Sequence, residues 1–135
     1  MTGLEGKLCV ITGATSGIGL ATAERLAALG ARLILIGRDA AKGESAKRRL
    51  AAVKPPAPVE VLIGDLGRMA GVRDLARRIE ALAPRIDVLV NNAGAIFNRR
   101  GETEDGLERT FALNHLAYFL LSRRVNRMLA SLERR

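Results

Sequence analysis

Four short runs rich in Val, Ile and Leu recur along this chain, with a helical stretch between each successive pair: Lys7–Thr12 (KLCVIT), Arg32–Gly37 (RLILIG), Val59–Gly64 (VEVLIG) and Ile86–Asn91 (IDVLVN). Each is short enough for a strand, and strands that alternate with helices signal βαβ units and a parallel sheet. The first intervening stretch, Ile18–Leu29, is Ala-rich and closes at Gly30, a suitable residue just past a helix end. The second, Ala40–Val53, is ended by Pro55-Pro56. In the third, Met69, Val72, Leu75, Ala76, Ile79 and Leu82 recur at three- and four-residue steps until Pro84. Glu102–Leu132 reads as a long final helical region with Leu107, Phe111, Asn114, Tyr118 and Leu121 on one stripe. The fold class expected is α/β.

Composition closes off several functions. At 135 residues the chain has room for one domain, 1–135, and 48% hydrophobic with 27% charged residues excludes disorder and collagen. No stretch reaches the roughly 20 apolar residues needed to span a bilayer, and Met1–Gly6 lacks the apolar run of a secretory signal, so a cytoplasmic protein is expected. Cys9 is the single cysteine and His115 the single histidine, so neither an internal disulfide nor a closed zinc site is expected, and no metal is assigned. The absence of Trp and only 3% aromatics argue against a stacking platform for single-stranded nucleic acid. The net charge is +8, and residues 120–135 hold five Arg against one Glu. These charges are spread around a helix, which favours a solvated face over specific nucleic-acid binding.

The first run leads into Thr12-Gly13-Ala14-Thr15-Ser16-Gly17-Ile18-Gly19 and then a helix. This is a phosphate cradle: glycine at the strand exit permits the tight turn, and glycine near the helix start lets a pyrophosphate approach backbone N–H groups at the positive end of the helix dipole. The spacing is G-x-x-x-G-x-G. A G-x-G-x-x-G starting at Gly17 fails at Thr22, and no Gly-Lys-Ser/Thr follows for a P-loop.

Thr12–Gly19, taken with Asn91-Asn92-Ala93-Gly94 at the end of the fourth run, resembles the short-chain dehydrogenase/reductase family. Thr103–Glu108, Phe111–Leu116 and Phe119-Leu120-Leu121 are similar to its retinol-dehydrogenase-like branch. The likeness runs from about Lys7 to Ser122. It implies a Rossmann-type doubly wound parallel sheet, here four strands in the order 3-2-1-4, with a dinucleotide across their carboxyl ends where the order reverses. It implies cofactor contacts from Gly13, Ser16, Gly17, Ile18 and Gly19. Asp65, with the backbone of Leu66, resembles the family's adenine contact, the alternative being a helix cap. Asn92, Ala93 and Gly94 fall where the family's backbone passes the nicotinamide ribose, while Asn91 is expected to tie the fourth strand to its neighbours.

The end of the second strand bears on cofactor choice. An acidic residue there grips a ribose 2′-hydroxyl, whereas an Arg pairs with a 2′-phosphate. Arg38 follows Gly37, and Asp39 reads better as the N-cap of the next helix. NADP(H) is therefore expected over NAD(H).

Asn114, on an apolar helical face, must find partners for its amide. By resemblance it matches the catalytic Asn that interrupts the helix and holds a water in a proton relay. His115 reads as a packing or cap residue. The family's general acid/base is a Tyr whose pKa is lowered by a Lys four residues on, and no Tyr-x-x-x-Lys is present: Tyr118 is followed by Ser122, and all four lysines precede it. The chain therefore reads as the cofactor-binding half of an NADP(H)-dependent oxidoreductase acting on a lipophilic alcohol or carbonyl, incomplete at its C-terminal end, inactive alone and weakened in its hold on nicotinamide. The alternative is a catalytically dead dinucleotide-binding or protein-interaction module. In either case the fourth strand is an edge, open to self-association.

Overall fold

A computed structural model describes residues 3–129. Four strands, β1 (Leu8–Thr12), β2 (Arg32–Gly37), β3 (Glu60–Ile63) and β4 (Val88–Val90), form one parallel sheet in the order β3-β2-β1-β4. The crossovers are α1 (Gly17–Ala28), α2 (Ala40–Ala51) and α3 (Met69–Leu82). The expected Rossmann-type α/β architecture is thus observed.

The apolar runs work because both faces of the sheet are covered. Strand side chains alternate in direction, so Val10, Ile34, Ile36 and Leu62 pack with Val72, Leu75 and Ile79 of α3, whereas Cys9, Ile11, Leu33 and Leu35 pack with Ala23 and Ala27 of α1 and Leu50 of α2. Full burial of one such Val, Leu or Ile side chain contributes about 1.5–3 kcal/mol. Gly30, with φ +90°, closes α1, and the Ala31 N–H donates back to the Leu26 carbonyl.

β4 is shorter than its apolar run because Asp87 takes over the ladder beside β1. The Leu8 N–H donates to the Asp87 carboxylate at 2.9 Å, while the Asp87 N–H donates to the Leu8 carbonyl at 3.0 Å. Ile86 is fully buried and Val88 is 37% exposed on the edge strand. Burial alone would raise the Asp87 pKa, but the Leu8 N–H, the Arg85 guanidinium and Lys7 outweigh it and hold the carboxyl below its ordinary 3.8. A carboxyl depressed in the folded state stabilises the fold above its unfolded pKa and loses that contribution as pH falls through the folded value. Asp87→Asn is therefore expected to be less stable than the parent between pH 5 and 7, with the gap narrowing below about pH 4. Urea unfolding at pH 6 and pH 3 checks this, and an equal gap at both would refute it.

The C-terminal helical region starts later than Glu102. Residues 102–108 make a compact turn in which the Thr103 N–H donates to the Leu107 carbonyl at 2.7 Å, Gly106 adopts φ +72°, and Glu102 and Glu108 form an isolated antiparallel bridge. The helix begins at α4 (Arg109–Phe111), where the Glu108 carboxylate accepts the N–H groups of Thr110 and Phe111 as an N-cap. It passes through a π-helical turn, Ala112–Leu116, into α5 (Ala117–Leu129). The expected end at Leu132 lies outside the described residues.

The π turn inserts one extra residue and rotates the stripe. Phe111, expected on the buried face, is 50% exposed; Leu121 is buried as expected, and Ala112, Leu113, Ala117 and Val125 line the core with it, α5 lying against α3. Among the described residues no helix is long and apolar enough to cross a membrane.

Candidate functional site

The carboxyl ends of the strands open on a cleft of about 1120 Å³. All eleven residues expected to meet a cofactor line it: Gly13, Ser16, Gly17, Ile18, Gly19, Arg38, Asp65, Leu66, Asn92, Ala93 and Gly94. They come from the exits of β1, β2, β3 and β4, so the topology gathers residues as far apart in sequence as Gly13 and Gly94.

The β1–α1 loop shows why glycine stands where it does. Gly17 has φ +57°, and a Cβ built there would meet nothing within 4 Å, so the backbone at the start of α1 faces open space. At Gly19 a Cβ would lie 2.2 Å from the Gly13 carbonyl oxygen and 2.5 Å from the Asn92 amide nitrogen. The first glycine leaves room for a ligand and the second lets the helix seat against the strand exits. Helix α1 thus presents unpaired first-turn N–H groups and its positive dipole end to the cleft. Ile18 is 80% exposed at this rim.

A second loop, at the exit of β4, closes the other side. Its backbone is irregular through residues 91–97 and is held by side chains. The buried Thr12 hydroxyl accepts the N–H groups of Asn92 and Ala93 at 3.0 and 2.9 Å. The Asn92 amide donates to the carbonyls of Thr12 and Gly13, both at 3.1 Å. Asn114, in the π turn, accepts the Ala95 N–H at 3.0 Å and donates to the Ala95 carbonyl at 2.8 Å. The Tyr118 hydroxyl donates to the Ala93 carbonyl.

The two asparagines at the exit of β4 divide the work: Asn92 ties it to β1, whereas Asn91 ties it to α5, donating to the Ser122 hydroxyl at 3.2 Å, and its buried carbonyl oxygen has no partner among the described residues. Asn92 therefore has its side chain engaged within the protein, and what it presents to the cleft is chiefly backbone.

Arg38 and Lys42 lie at the β2 corner of the cleft, both exposed, and give it a cationic end. Asp39 caps α2, accepting the Lys42 N–H at 3.0 Å, as its position suggested. Asp65 lines the cleft and also accepts the Gly67 N–H at 2.8 Å, so its carboxylate steadies its own turn. Asn114 stands beside the cleft, its carbonyl oxygen 3.2 Å from where a Cβ on Gly94 would be. His115 is exposed and stacks on the Phe111 ring, with centroids 5.1 Å apart. Burial raises the Tyr118 pKa above its ordinary 10.

Sequence reasoning missed four residues here. Lys42 was signalled by its place one helical turn after Arg38. Thr15 lies against Gly37, where a Cβ would come within 2.5 Å of its methyl. Thr12 and Tyr118 act across long sequence separations and left no local signal.

Known proteins resemble this chain in sequence and fold. The family model for short chain dehydrogenase matches residues 7–134. The putative daunorubicin C-13 ketoreductase DnrU of Streptomyces sp. (strain C5) is 44% identical over 128 residues, covering 95% of this chain and 44% of that protein. Retinol dehydrogenase 12 of Mus musculus is 41% identical over 119 residues, covering 88% and 38%. Among solved structures, the Pseudomonas aeruginosa RhlG/NADP active-site complex superposes with a TM-score of 0.83 at 30% identity, over 96% of this chain and 50% of that one. L-Sorbose reductase from Gluconobacter frateurii, complexed with NADPH and L-sorbose, gives 0.84 at 30% identity over 97% and 50%. The chain spans less than half the length of these curated relatives. With the match running through every strand and helix of the described fold, this chain belongs to the short chain dehydrogenase family of oxidoreductases.

Proposed function

We propose that the chain is the cofactor-binding half of an NADP(H)-dependent oxidoreductase that moves hydride between the dinucleotide and a lipophilic alcohol or carbonyl. By itself it binds the dinucleotide and does not turn over. The observation that carries the reading is the cleft, where an open glycine backbone at the N-terminus of α1 and a cationic corner at the end of β2 lie on the same wall. Phosphate suits both: the helix N-terminus takes a pyrophosphate, and Arg38 with Lys42 takes a 2′-phosphate. Ile18 is an apolar cleft residue available to the dinucleotide, Asp65 is available to the adenine amino group, and Leu66, its side chain buried in the core, offers its backbone N–H to the ring. Asn92, Ala93 and Gly94 present backbone toward the nicotinamide end.

When bound, the nicotinamide supplies or accepts the hydride. This chain's own residues bind and orient it, and no Tyr-x-x-x-Lys is present to move the accompanying proton. Asn114 keeps the relay role that the resemblance implies. Its side chain is engaged by Ala95, so a water would be held through its remaining amide N–H and its backbone. The lipophilic substrate class rests on the likeness to retinol dehydrogenases.

The test is a fluorescence titration of the 135-residue chain with NADPH and NADH. NADPH is expected to bind more tightly, and Arg38→Ala to weaken it about 10- to 100-fold, the loss of one charge-assisted contact of about 1.5–3 kcal/mol, with NADH changed by less than about twofold. Tighter NADH binding, or an Arg38→Ala chain with unaltered NADPH affinity, would overturn the NADP(H) assignment. Assembly belongs to the same reading: the open edge of β4 pairs with a second copy, and a sedimentation mass that stays monomeric across a hundredfold concentration range would count against it.

A further inference from the structure

We propose that Tyr118 is a positioning residue, its hydroxyl fixing the Ala93 carbonyl so that the Asn92–Gly94 backbone stands correctly at the nicotinamide end of the cleft. The inference rests on the dinucleotide reading of that cleft.

The exit of β4 has no regular hydrogen-bond ladder to hold it past Val90. Three side chains fix it instead. Thr12, from β1, takes the N–H groups of Asn92 and Ala93, and Asn114 takes both backbone groups of Ala95. The Ala93 carbonyl is held separately, accepting a hydrogen bond that the Tyr118 hydroxyl donates. Each peptide from Asn92 to Ala95 therefore carries at least one side-chain tether except at Gly94, the residue most exposed to the cleft. Gly94 is held only through its neighbours, so its path depends on the tethers at Ala93 and Ala95.

Asn114 and Tyr118 are four residues apart on one helix, and both reach the same loop. The π turn carrying Asn114 and the first turn of α5 carrying Tyr118 act as a pair of fingers on one short segment. A ring of the same shape without the hydroxyl would fill the same space beside Phe119 and Ser122 but would leave the Ala93 carbonyl without its donor. A packing role therefore belongs to the ring and a positioning role to the hydroxyl, and the two are separable by one atom.

The experiment is Tyr118→Phe in the 135-residue chain, titrated with NADPH and with 2′,5′-ADP, which carries the adenine half only, alongside thermal unfolding. The expected result is NADPH affinity about 5- to 10-fold lower, 2′,5′-ADP affinity within about twofold of the parent, and a folded variant, consistent with loss of one hydrogen bond at the far end of the cleft. Unchanged NADPH affinity would overturn the inference. Equal weakening of both ligands, or a variant that does not fold, would assign the hydroxyl to the fold and overturn it also. A parent chain that binds neither ligand would instead remove the dinucleotide reading on which it rests.

Discussion

Gly19→Ala is expected to cost the fold about 3–5 kcal/mol, a large share of the 5–15 kcal/mol typical of a domain. A Cβ at this position would sit 2.2 Å from the Gly13 carbonyl oxygen, and that oxygen belongs to backbone. Gly13 cannot retreat, because a Cβ position on it already lies 2.8 Å from the Ala93 Cα, so its peptide is packed against the exit of β4. The methyl would also displace the Asn92 amide from the carbonyls of Thr12 and Gly13, and each lost bond adds about 1 kcal/mol. Gly17→Ala is the control. Its Cβ meets nothing within 4 Å, so the penalty is that of φ +57° alone, about 1–2 kcal/mol. That variant folds, and its methyl occupies the open face proposed for the pyrophosphate, so NADPH binding suffers while stability largely survives. Urea denaturation of both variants separates the two roles. A Gly19→Ala chain within 1 kcal/mol of the parent would show that the helix can shift away from the strand exits, and the packing argument would fail.

The parts of this fold legible in sequence are those whose causes are local. A parallel strand covered on both faces must be apolar throughout, so Arg32–Gly37 announces itself and β2 occupies those residues. The glycine loop is legible because sterics at Gly17 and Gly19 restrict the residue type at the position itself, and α3 because its buried Val72, Leu75, Ala76 and Ile79 repeat at helical spacing. The region after residue 100 was misread for a reason of distance. The interruption at Asn114 that the resemblance implies is present as a π turn, but the stripe was laid out at a uniform 3.6-residue period through Ala112–Leu116, where Asn114 is bound to Ala95 nineteen residues away. No local pattern encodes that partner, and one added residue was enough to turn Phe111 out to solvent. The turn at 102–108 had a local marker in Gly106, outweighed by the apolar stripe that seemed to begin at Leu107. The division of partners between Asn91 and Asn92 has the same character. Adjacent, chemically identical side chains leave a strand end in opposite directions, and only the position of β1 decides which of them meets the Gly13 carbonyl.

Thr12→Val is expected to destabilise the chain by about 1–3 kcal/mol although it exchanges side chains of nearly equal shape. Thr12 is 1% exposed, the buried polar side chain in the described core, and its hydroxyl accepts two backbone N–H groups while lying 3.4 Å from the Val90 carbonyl. Valine fills the volume, so neither a cavity nor overpacking enters. What remains is the Ala93 N–H, stranded beside an apolar methyl at about 1–3 kcal/mol and reduced by whatever water the open cleft can lend, whereas the Asn92 N–H keeps the Val90 carbonyl at 3.1 Å. Thr12→Ser keeps the oxygen and loses one methyl, so it is expected to cost about 0.8 kcal/mol, the smaller loss of the two. Thermal and urea unfolding of the pair therefore tests whether the hydroxyl or the methyl matters at this position. The same hydroxyl sets the spacing between the exits of β1 and β4, so NADPH affinity should fall in Thr12→Val and persist in Thr12→Ser. Equal stability losses in the two variants would place the effect in the methyl, and the view that side-chain tethers, in place of a strand ladder, build this wall of the cleft would have to be abandoned.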